Sequence, residues 1–142
     1  MHNEKIYKDC GDEQSVRSII PDKQVKKGEY PWTTLLQIKE ENGFSECGGT
    51  VINNRYILTA AHCCETATEV KVGFGYDFSN HILVEKIILH PAYNAADYHD
   101  HDIALLRLET SMTFTESLKP ICLPPSTLDT SGDLRGIGWH LT

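Results

Sequence analysis

Residues 45–63 read Ser45-Glu46-Cys47-Gly48-Gly49-Thr50-Val51-Ile52-Asn53-Asn54-Arg55-Tyr56-Ile57-Leu58-Thr59-Ala60-Ala61-His62-Cys63. Two short runs of strand-forming residues, Thr50–Ile52 and Tyr56–Thr59, flank Asn53-Asn54, whose short amide side chains favour a turn. Gly48-Gly49 stands directly before the first run. Ala60–Cys64 is expected to form a single helical turn after the second.

The same rhythm extends in both directions. Trp32–Ile38 predicts a strand, and Asn42-Gly43 predicts a hairpin because both residues tolerate positive φ. Val70–Phe74 and Ile82–Leu89 are rich in β-branched residues and predict two more strands, the second stopped by Pro91. Ile103–Leu108 is an apolar run that suits a buried strand, and Leu134–Trp139 is expected to begin a last one. Pro120–Pro125 reads as a connector. Residues 1–18 are polar and weakly periodic, and read as an extended leader. Short strands at this spacing, with no long amphipathic helix between them, predict an all-β barrel or sandwich.

A chain of 142 residues can bury one real core. Its net charge of −7 argues against a general nucleic-acid binder. No apolar run reaches the length of a membrane-spanning helix. Met1-His2-Asn3-Glu4-Lys5 is not followed by the apolar stretch of about 7–15 residues that a secretory signal needs. The five cysteines, Cys10, Cys47, Cys63, Cys64 and Cys122, fit no zinc spacing and include no C-x-x-C. Either the protein stays inside the cell or the native precursor begins elsewhere. Disulfides in an oxidising compartment are the simpler reading of the cysteines and favour an extracellular parent protein, although the odd count leaves one thiol over.

Two short segments carry chemistry. In Leu58-Thr59-Ala60-Ala61-His62-Cys63 the alanines leave room around an imidazole beside a cysteine that can pin the loop. In His101-Asp102-Ile103-Ala104-Leu105-Leu106 one acid sits at the mouth of an apolar strand. A carboxylate there can accept the Nδ1 proton of a histidine, fix its tautomer and stabilise its protonated form.

With Glu29-Tyr30-Pro31-Trp32, Cys47-Gly48-Gly49-Thr50-Val51-Ile52 and Pro120-Ile121-Cys122-Leu123-Pro124, these segments come in the order found in chymotrypsin/trypsin-like serine endopeptidases. The chain resembles the N-terminal half of that family. The style of Val84–Pro91 and Pro120–Pro124 is similar to arthropod proteases of the clip-domain type. The resemblance implies the first, six-stranded antiparallel β-barrel of a two-barrel fold. It divides the chain into a light-chain-like leader, 1–18, and an incomplete peptidase domain, 19–142. It implies His62 as general base, Asp102 as the acid that orients it, Cys47–Cys63 closing the histidine loop, and Cys10–Cys122 tying the leader to the barrel. Cys64 is then left over.

The pattern also breaks. The family's nucleophile motif, Gly-Asp-Ser-Gly-Gly, does not occur in these 142 residues. Its faint echo, Asp129-Thr130-Ser131-Gly132, lies before Gly138-Trp139, which match the family's crossing between barrels, so Ser131 is not expected to be the nucleophile. The oxyanion hole and specificity pocket belong to the second barrel, so these residues alone are expected to be inactive. The family's Ile-Val-Gly-Gly activation segment corresponds to Ile19-Ile20-Pro21-Asp22, preceded by Ser18, with Arg17 one place too early for the usual cut. The competing reading is a non-catalytic protease homologue that acts as a binding or regulatory module.

No cofactor and no metal are expected. His99 and His101 could share one face of an extended segment, but the simpler reading is a polar loop leading to Asp102. Gly73–His81 is short for a calcium loop and offers one acid, Asp77. His81 and His90 are read as surface residues. The expected partners are a protein substrate or a protease inhibitor once a second barrel is present. Without one, self-association through the exposed inter-barrel face is expected.

Overall fold

Among the described residues, six strands and one helical turn follow in order: β1 (Thr33–Glu40), β2 (Gly43–Val51), β3 (Tyr56–Thr59), α1 (Ala61–Cys64), β4 (Glu69–Phe74), β5 (His81–Leu89) and β6 (Ala104–Leu108). The computed structural model describes residues 10–11, 28–74, 78–97, 100–126 and 136–137. All pairings are antiparallel, and the order β1-β2-β3-β6-β5-β4 closes because β4 pairs back onto β1. A closed barrel leaves no strand edge free to recruit another chain.

Alternation along each strand builds the core. Leu36 and Ile38 of β1 point inward with Val51, Ile57, Val70, Val72, Leu106 and Leu108, and none of these is more than 1% exposed. Burial of such a side chain contributes roughly 1.5–3 kcal/mol. Strand β5 keeps its apolar side chains inward across an irregularity. Ile82 and Val84 pack on the core, a register shift falls between Val84 and Lys86, and the inward position then moves to Ile87. Glu85 stands at that bulge, and its carboxylate accepts a hydrogen bond from the Arg55 guanidinium at 3.0 Å and pairs with Arg107 Nε at 3.0 Å.

One turn and one strand start shift. The β1–β2 turn centres on Glu41-Asn42, with Glu40 opposite Gly43, and of Asn42 and Gly43 only the glycine takes positive φ. Strand β1 is paired on both sides, with β2 and with β4. That double pairing fixes the register ahead of any local turn preference. Strand β2 runs through both Gly48 and Gly49 and so starts earlier than the run Thr50–Ile52. Gly49 faces inward opposite Thr34, and a Cβ there would lie 2.6 Å from Ile57 Cγ2 and 2.7 Å from Thr34 Oγ1. The glycine is there for close packing of strands.

The Asn53-Asn54 turn forms as read. Asn53 Oδ1 accepts hydrogen bonds from the Arg55 and Tyr56 amides, both at 2.9 Å. The described segment after β6, residues 109–126, crosses the barrel end without a further named strand. Its Lys119 amide donates to Pro31 O and its Ile121 amide to Val51 O. Cys10 is bonded to Cys122, and the Gly11 amide donates to Pro120 O at 2.9 Å, so the described piece of the leader lies against this connector. The remainder of residues 1–27, the activation-like segment, Ser131 and most of Leu134–Trp139 lie outside the described residues. Among the described residues, no helix is long and apolar enough to cross a membrane.

Candidate active site

The barrel brings His62 and Asp102 together through one strand pair. Thr59, the last residue of β3, lies opposite Ala104, the first residue of β6. The chain leaves β3 and enters β6 at the same end of the barrel. Hence α1, directly after β3, and Asp102, directly before β6, become neighbours although 40 residues separate them in sequence.

Helix α1 is a single turn whose two faces meet different media. Ala61 and Cys64 are buried in the core, while the His62 side chain is 55% exposed. Two buried small residues anchor the turn, and the Cys47–Cys63 disulfide ties it to β2. His62 is thereby held by covalent and packing constraints on either side, which limits the directions its ring can take.

Asp102 grips both ends of that histidine. Its Oδ1 accepts the His62 backbone N–H at 2.7 Å, and its Oδ2 lies 2.5 Å from His62 Nδ1. The hydrogen bond from the ring, followed by that from the His62 amide, holds the carboxyl below its ordinary range; partial desolvation opposes this, and the positive charge of the imidazolium and the Ala61 amide add to the lowering. An ionised Asp102 keeps the proton on Nδ1, which leaves the Nε2 lone pair as the basic edge of the ring. That edge can take a proton from a hydroxyl brought to it.

Further residues brace this pair. Tyr93, after β5, donates its hydroxyl to Glu65 Oε2 at 3.1 Å, linking the end of α1 to the next loop. Its phenol is pushed above its ordinary value, first by desolvation and then by the Glu65 carboxylate. Thr59 Oγ1 donates to Gly48 O at 2.9 Å, so the strand before α1 is also stitched to β2. Glu65 and Tyr93 are not legible in the sequence, because a lone tyrosine and a lone glutamate carry no spacing signal. His90 is expected at the surface. The structure instead stacks the His90 ring on His101, with centroids 4.7 Å apart, while His81 is exposed as expected. His99 and Asp77, weighed for metal binding, lie outside the described residues. Cys64 is free and buried, and burial pushes its thiol up to about 11.

The Trypsin family model matches residues 19–142. This chain belongs to the trypsin family. It is 37% identical over 139 aligned residues to CLIP domain-containing serine protease B4 of Anopheles gambiae, an alignment covering 82% of this chain and 38% of that protein. It is 34% identical over 139 residues to Serine protease 7 of Drosophila melanogaster, covering 81% of this chain and 36% of that one. Among solved structures, the Drosophila Grass clip serine protease of the Toll pathway superposes with a TM-score of 0.69 at 31% identity, covering 88% of this chain and 40% of that chain. This trypsin-family chain therefore spans less than half the length of these relatives. The likeness reaches the clip-domain proteases of insects as well as the wider family, and the closed antiparallel barrel is the fold shared with these chymotrypsin-like enzymes.

Proposed function

We propose that these residues form the base-and-acid half of a trypsin-like serine endopeptidase site. His62 acts as general base, and Asp102 orients it and stabilises the imidazolium. The observation that carries the reading is the double grip of Asp102 on His62, at 2.7 Å to the amide and 2.5 Å to Nδ1. Acyl transfer needs a nucleophilic hydroxyl on the Nε2 edge, which in this structure lies 3.7 Å from Cys63 Sγ, and donors for the oxyanion. The nucleophile motif is absent from these 142 residues. Peptide hydrolysis then requires a second, serine-bearing barrel, and residues 19–142 correspond to the first barrel and the start of the crossing.

A fluorophosphonate, which labels only an activated serine, tests this. The 142-residue chain should remain unlabelled. The same chain completed by a second barrel with Gly-Asp-Ser-Gly-Gly should be labelled, and His62→Ala in that protein should abolish labelling. Labelling of the chain alone, or labelling indifferent to His62→Ala, would refute the proposal.

A second reading, a non-catalytic homologue that binds a protease or an inhibitor, is favoured by one specific feature. Ile19-Ile20-Pro21-Asp22 replaces both glycines of the activation segment, and the proline fixes φ. If this reading holds, the completed protein stays unlabelled after cleavage near Arg17 and still captures a protease or inhibitor. In either case the two disulfides favour an extracellular setting. Ile103, 42% exposed beside Asp102, offers one apolar side chain for self-association of the barrel through its inter-barrel face, and sedimentation at rising concentration tests for it.

A further inference from the structure

We infer that His90 is a positioning residue for Asp102, acting on both of its chain neighbours at once. The inference deepens the reading of His62 and Asp102 as a base–acid pair and rests on it.

The need for such a residue lies in the backbone. His101, immediately before Asp102, has φ +57° and is the only non-glycine residue with positive φ among the described residues. Side chains other than glycine adopt this conformation at a steric cost, so it persists only where the surroundings hold it. Asp102 lies just outside β6, beyond the reach of the strand ladder that fixes Ala104. Its carboxylate nevertheless has to meet two separate N–H groups of His62, and a turn of the backbone at residue 101 would swing both oxygens away.

His90 supplies the hold on each side. Before Asp102, its ring stacks on the His101 ring at 4.7 Å between centroids and 29° between planes. After Asp102, its backbone amide donates to Ile103 O at 3.0 Å. The Ile103 amide in turn donates to His101 O at 2.8 Å, which closes a tight turn around Asp102 itself. The His90 ring is oriented in its own right, because Nδ1 accepts the Ala92 amide at 3.0 Å. On its outer side His101 Nδ1 lies 3.0 Å from Asp100 Oδ1. Asp102 is thus the middle residue of a three-residue turn whose two flanks are held by one histidine at the end of β5.

The test reads the tautomer of His62 in the full chain, by two-bond 1H–15N correlation through the carbon-bound ring protons at alkaline pH. The wild type should show the proton on Nδ1, as Asp102 requires. His90→Ala keeps the backbone hydrogen bond but removes the stack; His62 should then revert to the Nε2–H form preferred by a free imidazole. His90→Phe restores a ring to stack on His101 and should recover the wild-type signal. Urea unfolding, followed by Trp32 fluorescence, is measured in parallel. A lowered midpoint with an unchanged His62 tautomer in His90→Ala would mean a merely structural role and would overturn the inference. So would failure of His90→Phe to differ from His90→Ala. Because the signal comes from the pair itself, it is independent of whether a completed protein is labelled by a fluorophosphonate.

Discussion

Gly49→Ala offers a demanding test of how the barrel is packed. The added methyl would sit 2.6 Å from Ile57 Cγ2, 2.7 Å from Thr34 Oγ1 and 3.3 Å from Leu36 Cδ1. Comfortable carbon contacts lie at about 3.5–4.0 Å, so the neighbours would have to yield by roughly 1 Å. Thr34, Leu36 and Ile57 are fully buried. Strand β2 is held between β1 and β3 in a closed barrel and cannot simply move aside. Overpacking of this kind costs about 1–3 kcal/mol. Removing a glycine from the unfolded chain offsets about 0.4–1 kcal/mol of that. A net loss of about 1–2 kcal/mol is expected, or roughly 3–10 °C in Tm for a domain of this size. Urea unfolding with the disulfides intact, followed by Trp32 fluorescence and far-UV circular dichroism together, measures it. The neighbouring Gly48→Ala is the control. Its added methyl meets nothing within 4 Å, so the same relief in the unfolded chain should leave it between wild-type stability and about 1 kcal/mol more stable. Equal stability of Gly49→Ala and Gly48→Ala would refute the claim that β1, β2 and β3 close over residue 49.

Three other outcomes are expected. Replacing both Cys47 and Cys63 by serine opens a loop of sequence separation 16, which should cost about 3 kcal/mol in urea unfolding; a loss below about 1 kcal/mol would remove the disulfide as the main anchor of α1. Native Cys64 should resist iodoacetamide at pH 8 and react once urea unfolds the chain, because burial holds its thiol up at about 11 and only the thiolate attacks; rapid labelling of the native protein would contradict that burial. The depressed carboxyl of Asp102 gives a pH signature with a definite sign. Its stabilising effect is fully present above the unfolded carboxyl value of about 3.9 and fades as pH falls through the lower folded value. Wild type should therefore exceed Asp102→Asn in urea midpoint at pH 6, with the gap closing on acidification below about pH 4. A gap that widens in acid would reverse the argument.

The sequence alone carried much of the local design. Alternation in Thr34–Ile38 and Val70–Val72, the turn residues Asn53-Asn54, and the small buried residues around His62 all act over a few neighbours, so they are legible in order along the chain. The five family segments likewise pointed to His62 and Asp102. Other features depend on contacts between distant segments, and these needed the tertiary structure. The need for glycine at residue 49 comes from Ile57 and Thr34, which fill the space a side chain there would take. The turn expected at Asn42-Gly43 moved because β1 is paired on two sides. The inward face of β5 changed parity at Glu85, where two arginines from β6 and the turn before β3 converge on its carboxylate. His90 gave no signal in the sequence, since stacking is a property of two rings in space. Sequence determined which residues could be a base and its acid. Closure of the barrel, by setting Thr59 against Ala104, decided that they meet.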